Sequence, residues 1–345
     1  MANESVRLGL IGAGRNTRDR HIPGFLNVEG VELAAVANRS RESGQRVADS
    51  FNIPTVYDNW RDLLDDPSID AICIGTWPYM HRNLTLAALE KGKHVLTEAR
   101  MAANAREARE MLEASRNHPE LVTQIVPGPS TFKVDNLIQQ KIAEGYLGDL
   151  LAVEVQVVTS AFVDPGAPLH WRHNRTFSGY NIMNMGIWYE CLIRWTGPAT
   201  RVMAMSRVNV PKRLDEDGTM EAVTIPDHVD ILMEFSNGAQ GHMRVSVVTG
   251  LARGAEAWLH GSQGTLHVDP GLNVFGGQRG DSQLEEIPNP PENQYGWRVE
   301  EEFISAIRGL EPVTHTPFDV GLHYMEFTEA VTRSAQTGQA ISLPL

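Results

Sequence analysis

Residues 6–17 read Val6-Arg7-Leu8-Gly9-Leu10-Ile11-Gly12-Ala13-Gly14-Arg15-Asn16-Thr17. A short apolar run meets a Gly-x-Gly turn, and the residues after it can open a helix. That order predicts a buried parallel strand entering a tight turn. The first glycine makes the turn and the second lets backbone approach an anion. The helix start then presents free N–H groups and the positive end of its dipole. The third glycine of the usual fingerprint is Thr17 here, and glycines also simply end strands. The placement, strand before and helix after near the start of a long α/β chain, points to a dinucleotide pyrophosphate at Gly12, Gly14, Arg15 and Asn16.

Composition narrows the field. A chain of 345 residues suggests two domains, and 42% hydrophobic with 21% charged residues is ordinary for a globular protein. A formal net charge of −13, with no basic run or basic–aromatic stripe, argues against nucleic acid as a partner. Met1-Ala2-Asn3-Glu4-Ser5 leads directly into the first strand without a signal-peptide pattern. No apolar run approaches the roughly 20 residues of a membrane helix, so no membrane partner is expected. Cys73 and Cys191 are the only cysteines, which fits a reducing cytoplasm without disulfides or zinc. The histidines lack metal-ligand spacing; His170 and His173 come nearest, and no metal is expected.

Outward from the opening stretch, strands and helices alternate. Strands are read at 31–37, 55–57, 70–75, 93–97 and 121–126, with helices after the glycine turn and at 43–51, 60–64, 82–90 and 103–116. This is a parallel, doubly wound domain over 1–127. The loop 76–81 falls at the carboxyl edge of its sheet, where ligands of such sheets bind, making Thr76, Trp77 and His81 candidate cofactor contacts. After the second strand comes Asn38-Arg39-Ser40-Arg41, with no carboxylate for a ribose and two guanidiniums that suit a 2′-phosphate. This favours NADP(H) over NAD(H).

The second domain, 128–345, starts with an alternating strand at 150–159 and a Pro/Gly-containing loop at 163–175. A helix at 178–195 stops at Gly197-Pro198. Strands at 201–208, 228–235, 241–248, 255–260 and 265–268 follow without intervening helices, an antiparallel pattern. Residues 211–224 read as a mobile polar loop and 276–291 as surface cover, with amphipathic helices at 292–308 and 318–336.

The chain resembles the Gfo/Idh/MocA family of NAD(P)-dependent oxidoreductases. The matching segments are the Gly12-Ala13-Gly14 turn with His21-Ile22-Pro23 downstream, the loop ending in His81, and Lys91 to Ala99. Further on come Trp171-Arg172 and Ser178 to Trp188. The resemblance implies an α/β Rossmann domain followed by an α+β domain with an open, mostly antiparallel sheet that often mediates oligomers, here a homodimer or homotetramer. It implies hydride transfer between nicotinamide and a hydroxyl or keto carbon of a sugar, polyol or related small molecule, and Glu98 as a cofactor-positioning residue. The family's usual Glu-Lys-Pro is Glu98-Ala99-Arg100 here, and its usual Asp and His are Asn184 and Trp188. Alanine cannot move a proton, and neutral Asn and Trp hydrogen-bond and pack instead.

Proton handling must then fall elsewhere, with His81, His170, Tyr180 and Asn184 as the catalytic candidates. Arg100 and Arg172 could clamp an anionic substrate, while Tyr79, Trp171, His173, Asn181 and Trp188 line it. Asn181, Asn184, Trp188 and Cys191 share one face if 178–195 is helical throughout. Glu190 lies off that face and reads as a structural or solvated carboxylate. Two alternatives stand beside the oxidoreductase: a redox-neutral enzyme using bound nicotinamide transiently for elimination or glycosidic cleavage, and a cofactor-binding sensor without turnover.

Overall fold

The computed structural model describes residues 5–345, so the leader-free reading of residues 1–4 lies outside the described residues. Two compact units form. The first takes the chain up to Pro127 together with Arg298–Leu322; the second takes Gly128–Trp297 with His323–Leu345. The segment 298–322, which the sequence reading places with the second domain, is therefore a late return to the first. It is tied there by the buried Glu302 carboxylate, which accepts from Gln124 at 2.7 Å, and by the Ile125 N–H, which donates to the Thr316 carbonyl at 3.1 Å.

In the first unit the described strands are β1 (Val6–Ile11), β2 (Val31–Ala37), β3 (Thr55–Tyr57), β4 (Ala71–Ile74), β5 (His94–Thr97) and β6 (Thr123–Ile125). They form a wholly parallel sheet in the order β3-β2-β1-β4-β5-β6, the doubly wound arrangement. The inner strands carry the core of this unit: Leu8, Leu10, Ile72 and Ile74 are fully buried. Truncating Leu10 to alanine would cost about 2–5 kcal/mol. Side-chain caps start several crossover helices, though not Pro78–Glu90. Ser40 Oγ accepts the Ser43 N–H at the helix Arg41–Phe51, and Asn59 Oδ1 accepts from Arg61 and Asp62 at Trp60–Asp65.

The second unit carries β7 (Leu150–Val158), β8 (Ala199–Arg207), β9 (Lys212–Leu214), β10 (Met220–Ala222), β11 (His228–Phe235), β12 (Gln240–Ser246), β13 (Glu256–Gly261), β14 (Gly264–Val268), β15 (Val274–Gln278), β16 (Glu285–Ile287) and β17 (Ile341–Ser342). Except for β9 and β10 they build one open sheet, β16-β15-β14-β13-β7-β12-β11-β8-β17. Only β7 and β12 run parallel; every other pair is antiparallel. Val153, Val155, Ile231, Met243, Leu259 and Leu266 alternate onto the buried face. Helices back that face: Tyr189 of Met185–Thr196 stacks on Phe327 of Phe318–Thr337 at 3.6 Å, and Ser334 Oγ accepts the Ala204 N–H. The opposite face keeps Asp230, His242 and Arg244 together and leaves Met203, Met205 and Leu232 exposed.

Four readings are corrected. The helix read at 178–195 is a short turn of helix at Arg175–Ser178, a break, and then Met185–Thr196. Gly179 at φ +65° and Met183 at φ +44° interrupt it. The loop read at 76–81 is already helix from Pro78, because proline suits a helix's first position. Residues 211–224 form the β9–β10 hairpin, whose turn is fastened by Asp215 Oδ1 accepting from Asp217 and Thr219. Residues read as surface cover at 276–291 include β16, which extends the sheet.

Candidate functional site

The glycine turn separates two demands. Gly12 sits at φ +83°, and a Cβ there would lie 2.6 Å from Thr76 Cγ2 and 2.9 Å from Thr76 N. Backbone geometry therefore requires Gly12. A Cβ on exposed Gly14 would meet nothing nearer than Gly75 O at 3.8 Å. The fold leaves Gly14 bare without needing it, which is the shape of a cradle that a side chain would fill. Beside it the Thr76 hydroxyl is buried and, among the described residues, has no hydrogen-bond partner. A polar ligand at the turn would satisfy it.

At the end of β2 the Asn38 Oδ1 accepts the Ala13 N–H at 2.7 Å and so braces the turn. Ser40 is committed to its helix cap, and Arg41 pairs with Asp58 at the surface. Arg39 is exposed and, among the described residues, carries no ion pair. Arg15 is also exposed, 3.3 Å from Asp19 in a pair worth little.

Trp77 and Tyr79 hold their rings 6.5 Å apart at the helix start, with Tyr79 exposed. His81 points inward and is fully buried. Its Nδ1 lies 2.9 Å from the Arg100 carbonyl and its Nε2 2.9 Å from the Thr76 carbonyl. Burial pushes its pKa down, against the two backbone hydrogen bonds. Placed so, His81 braces the Thr76 loop against the Ala99–Arg100 segment, and neither ring nitrogen faces solvent. Arg100 is itself buried.

A charged cluster sits behind the turn. His21 is fully buried between Glu300, 2.5 Å from Nδ1, and Glu98, 3.0 Å from Nε2. Glu98 also accepts from Asn16 Nδ2 and from the Ala99 N–H at 3.1 Å. Burial opposes charge on His21, but the two carboxylates outweigh it and raise its pKa to about 9. For Glu98, burial works upward, yet His21 and Asn16 hold its pKa below the usual carboxylate value. Sequence reasoning singled out Asn16 and Glu98, gave His21 no role and passed over Glu300. A signal existed: Glu300 shares the i, i+3, i+4 phase of buried Phe303 and Ile304. Gly24 makes room for it, since a Cβ there would lie 2.6 Å from the Glu300 carboxylate.

In the second unit, exposed His170 opens a single turn, Trp171–His173. Its Nδ1 accepts the Arg172 N–H at 3.2 Å, while His173 Nδ1 accepts the His170 N–H at 3.1 Å. Partial burial, and then the nearby arginines, lower both pKa values. Both rings are therefore neutral near pH 7, with the proton on Nε2, and each presents an N–H donor. The Arg172 guanidinium lies over Trp171 at 4.3 Å and that of Arg175 over Tyr180 at 5.2 Å. Asn181 is buried, donating to the Ser178 carbonyl at 2.7 Å. Asn184 is exposed at the start of the helix Met185–Thr196, and its side chain makes no cap bond. Trp188 is buried in that helix. The shared face expected for Asn181, Asn184, Trp188 and Cys191 therefore does not form, because the first two precede the helix. Glu190 is structural: it accepts the Gly128 N–H at 3.0 Å and pairs with Arg194 at 3.0 Å. Among the described residues, no group of three or more His, Cys, Asp or Glu is placed to hold a metal, and no helix is long and apolar enough to cross a membrane.

Comparison with known proteins identifies the family and the fold. Residues 6–125 match the oxidoreductase family model with an NAD-binding Rossmann fold, and 136–267 match the GFO/IDH/MocA C-terminal domain. The chain is 28% identical over 353 aligned residues to a 1,5-anhydro-D-fructose reductase of Ensifer adhaerens, covering 98% of each. It is 23% identical to a levoglucosan dehydrogenase of Pseudarthrobacter phenanthrenivorans, over 76% of this chain and 70% of the relative. A solved levoglucosan dehydrogenase in complex with NADH and L-sorbose shares the fold with a TM-score of 0.86 at 20% identity, covering 99% of both chains. With matched family models spanning most of its length, the chain belongs to the GFO/IDH/MocA family of nicotinamide-dependent oxidoreductases.

Proposed function

We propose that the chain transfers hydride between NADP(H) and a hydroxyl or keto carbon of a sugar-like substrate. The observation that carries this is the bare Gly14 cradle beside the buried, unsatisfied Thr76 hydroxyl, at the carboxyl edge of a parallel sheet. The bound nicotinamide would supply hydride chemistry; the chain supplies position and protons. Gly12, Gly14, Arg15, Asn16 and Thr76 would hold the pyrophosphate side, and Trp77 the wall beside it. Arg39, exposed and without a carboxylate at position 38, supports the 2′-phosphate of NADP(H).

A sugar-like substrate is supported by the relatives named for anhydro-sugars. The His170 and His173 Nε2–H groups and Arg172 are donors suited to hydroxyl, carbonyl or carboxylate oxygens, which supports an anionic sugar derivative. Tyr180, half-buried beside Arg175, is our choice for the proton-handling group, because its hydroxyl can both donate and accept. His170 then polarises the substrate oxygen as a donor. The exposed Met203, Met205 and Leu232 support a homo-oligomer.

The test is absorbance at the nicotinamide band with sugars, polyols and sugar acids, each with NADP(H) and NAD(H). A signal with NADP(H), lowered by about 10²–10⁴-fold in Tyr180→Phe, is expected. Turnover without net absorbance change would mean redox-neutral chemistry. Cofactor binding without any turnover would mean a sensor, and Tyr180→Phe at full rate would remove Tyr180 from the reaction.

A further inference from the structure

We propose that His21 is a positioning residue for the cofactor, acting as a buried cation that locks Glu98 and, through it, Asn16 at the glycine turn. The proposal rests on the nicotinamide-binding reading above and adds a mechanism for holding that site in shape.

The geometry is specific. A fully buried imidazole bridges two carboxylates that come from distant parts of the chain, Glu98 after β5 and Glu300 on the returning segment. Glu98 then divides its oxygens. One accepts from His21 and Asn16; the other accepts the Ala99 N–H. Asn16 lies two residues beyond Gly14, at the start of the turn that leads to His21. The cluster therefore connects the phosphate turn to the segment holding Ala99 and Arg100. Gly24 is kept free of a side chain where Glu300 enters.

With the imidazole protonated, both ring nitrogens donate and one positive charge sits between two negative ones. With it neutral, only one nitrogen donates, and two carboxylates face each other across an uncharged ring. Glu98 then loses its fixed position, and Asn16 with it. Other titrating groups near His21 are Cys73 of β4, buried, whose thiol burial and the two carboxylates push upward, and Arg18, Asp19 and Arg20 on its own turn, all exposed.

The experiment is a fluorescence titration of NADPH onto the full chain from pH 7 to pH 10, with circular dichroism at each pH to follow folding. If only the protonated cluster binds and the midpoint lies near the pKa of about 9, Kd rises about tenfold between pH 8 and pH 10. Glu300→Gln removes one anion and should move the midpoint to lower pH. Glu300→Asp, which keeps the charge but withdraws it, serves if the Gln variant does not fold, with the same direction of shift. A flat Kd in the wild-type chain, or a midpoint unmoved in the folded variant, overturns the proposal. Absence of NADPH binding at every pH would instead overturn the functional reading on which it rests.

Discussion

Substituting the two turn glycines separates fold from function. At Gly12 a methyl group meets a left-handed backbone, φ +83°, and the Thr76 backbone nitrogen at 2.9 Å. The left-handed conformation costs about 1–2 kcal/mol and the overpacking about 1–3 kcal/mol. Gly12→Ala should therefore lose about 2–5 kcal/mol and lower Tm by about 5–15 °C. At Gly14 the methyl group has open space, with nothing nearer than 3.8 Å. Gly14→Ala should leave stability within about 1 kcal/mol of the wild type, slightly raised if the unfolded chain loses freedom. It should still cost cofactor affinity. The Cβ occupies the cradle and displaces one hydrogen bond from backbone to a charged phosphate, worth about 1.5–3 kcal/mol, so Kd rises about 10- to 100-fold. Gly14→Val should extend that loss. The assays are thermal unfolding by circular dichroism and NADPH titration on the same samples. A folded Gly14→Val variant with wild-type affinity would refute the pyrophosphate assignment.

Three further outcomes follow from the same geometry. His21 has a folded-state pKa of about 9 against 6.5 in the unfolded chain, so its stabilisation is complete below pH 6.5 and fades as pH rises through 9. That is about 3 kcal/mol, seen as a fall in urea-unfolding free energy from pH 6 to pH 10, and an unchanged free energy contradicts it. Arg39→Gln should raise Kd for NADPH about tenfold and leave NADH unaffected; equal effects on both would detach Arg39 from a 2′-phosphate. Asn184→Asp puts an ionisable group at an exposed position and should change the pH profile of kcat, whereas a superimposable profile removes Asn184 from the site.

The first unit was legible because its signals are local. An apolar run, two glycines and a helix start define β1 and its turn, and the alternation that follows implies parallel pairing. The strand order and the return of 298–322 are not local, since they depend on contacts such as Glu300 with His21 across the sequence. The second unit misled where composition and geometry part. Ile182 to Trp188 is apolar enough to pass for continuous helix, but Gly179 and Met183 adopt positive φ and leave Asn184 to begin it. Asp215 to Gly218 looks like a polar loop, yet its side chains bond the backbone into a hairpin turn. At the candidate site, side-chain directions were not legible. His81 has the chemistry of an acid or base, but both nitrogens are turned to carbonyls, which no sequence pattern reports.

The most direct test of the account is calorimetric titration of NADPH onto the purified chain at pH 7.5. One nucleotide should bind saturably per chain, and more weakly in Gly14→Val. A folded chain that binds neither NADPH nor NADH would contradict it.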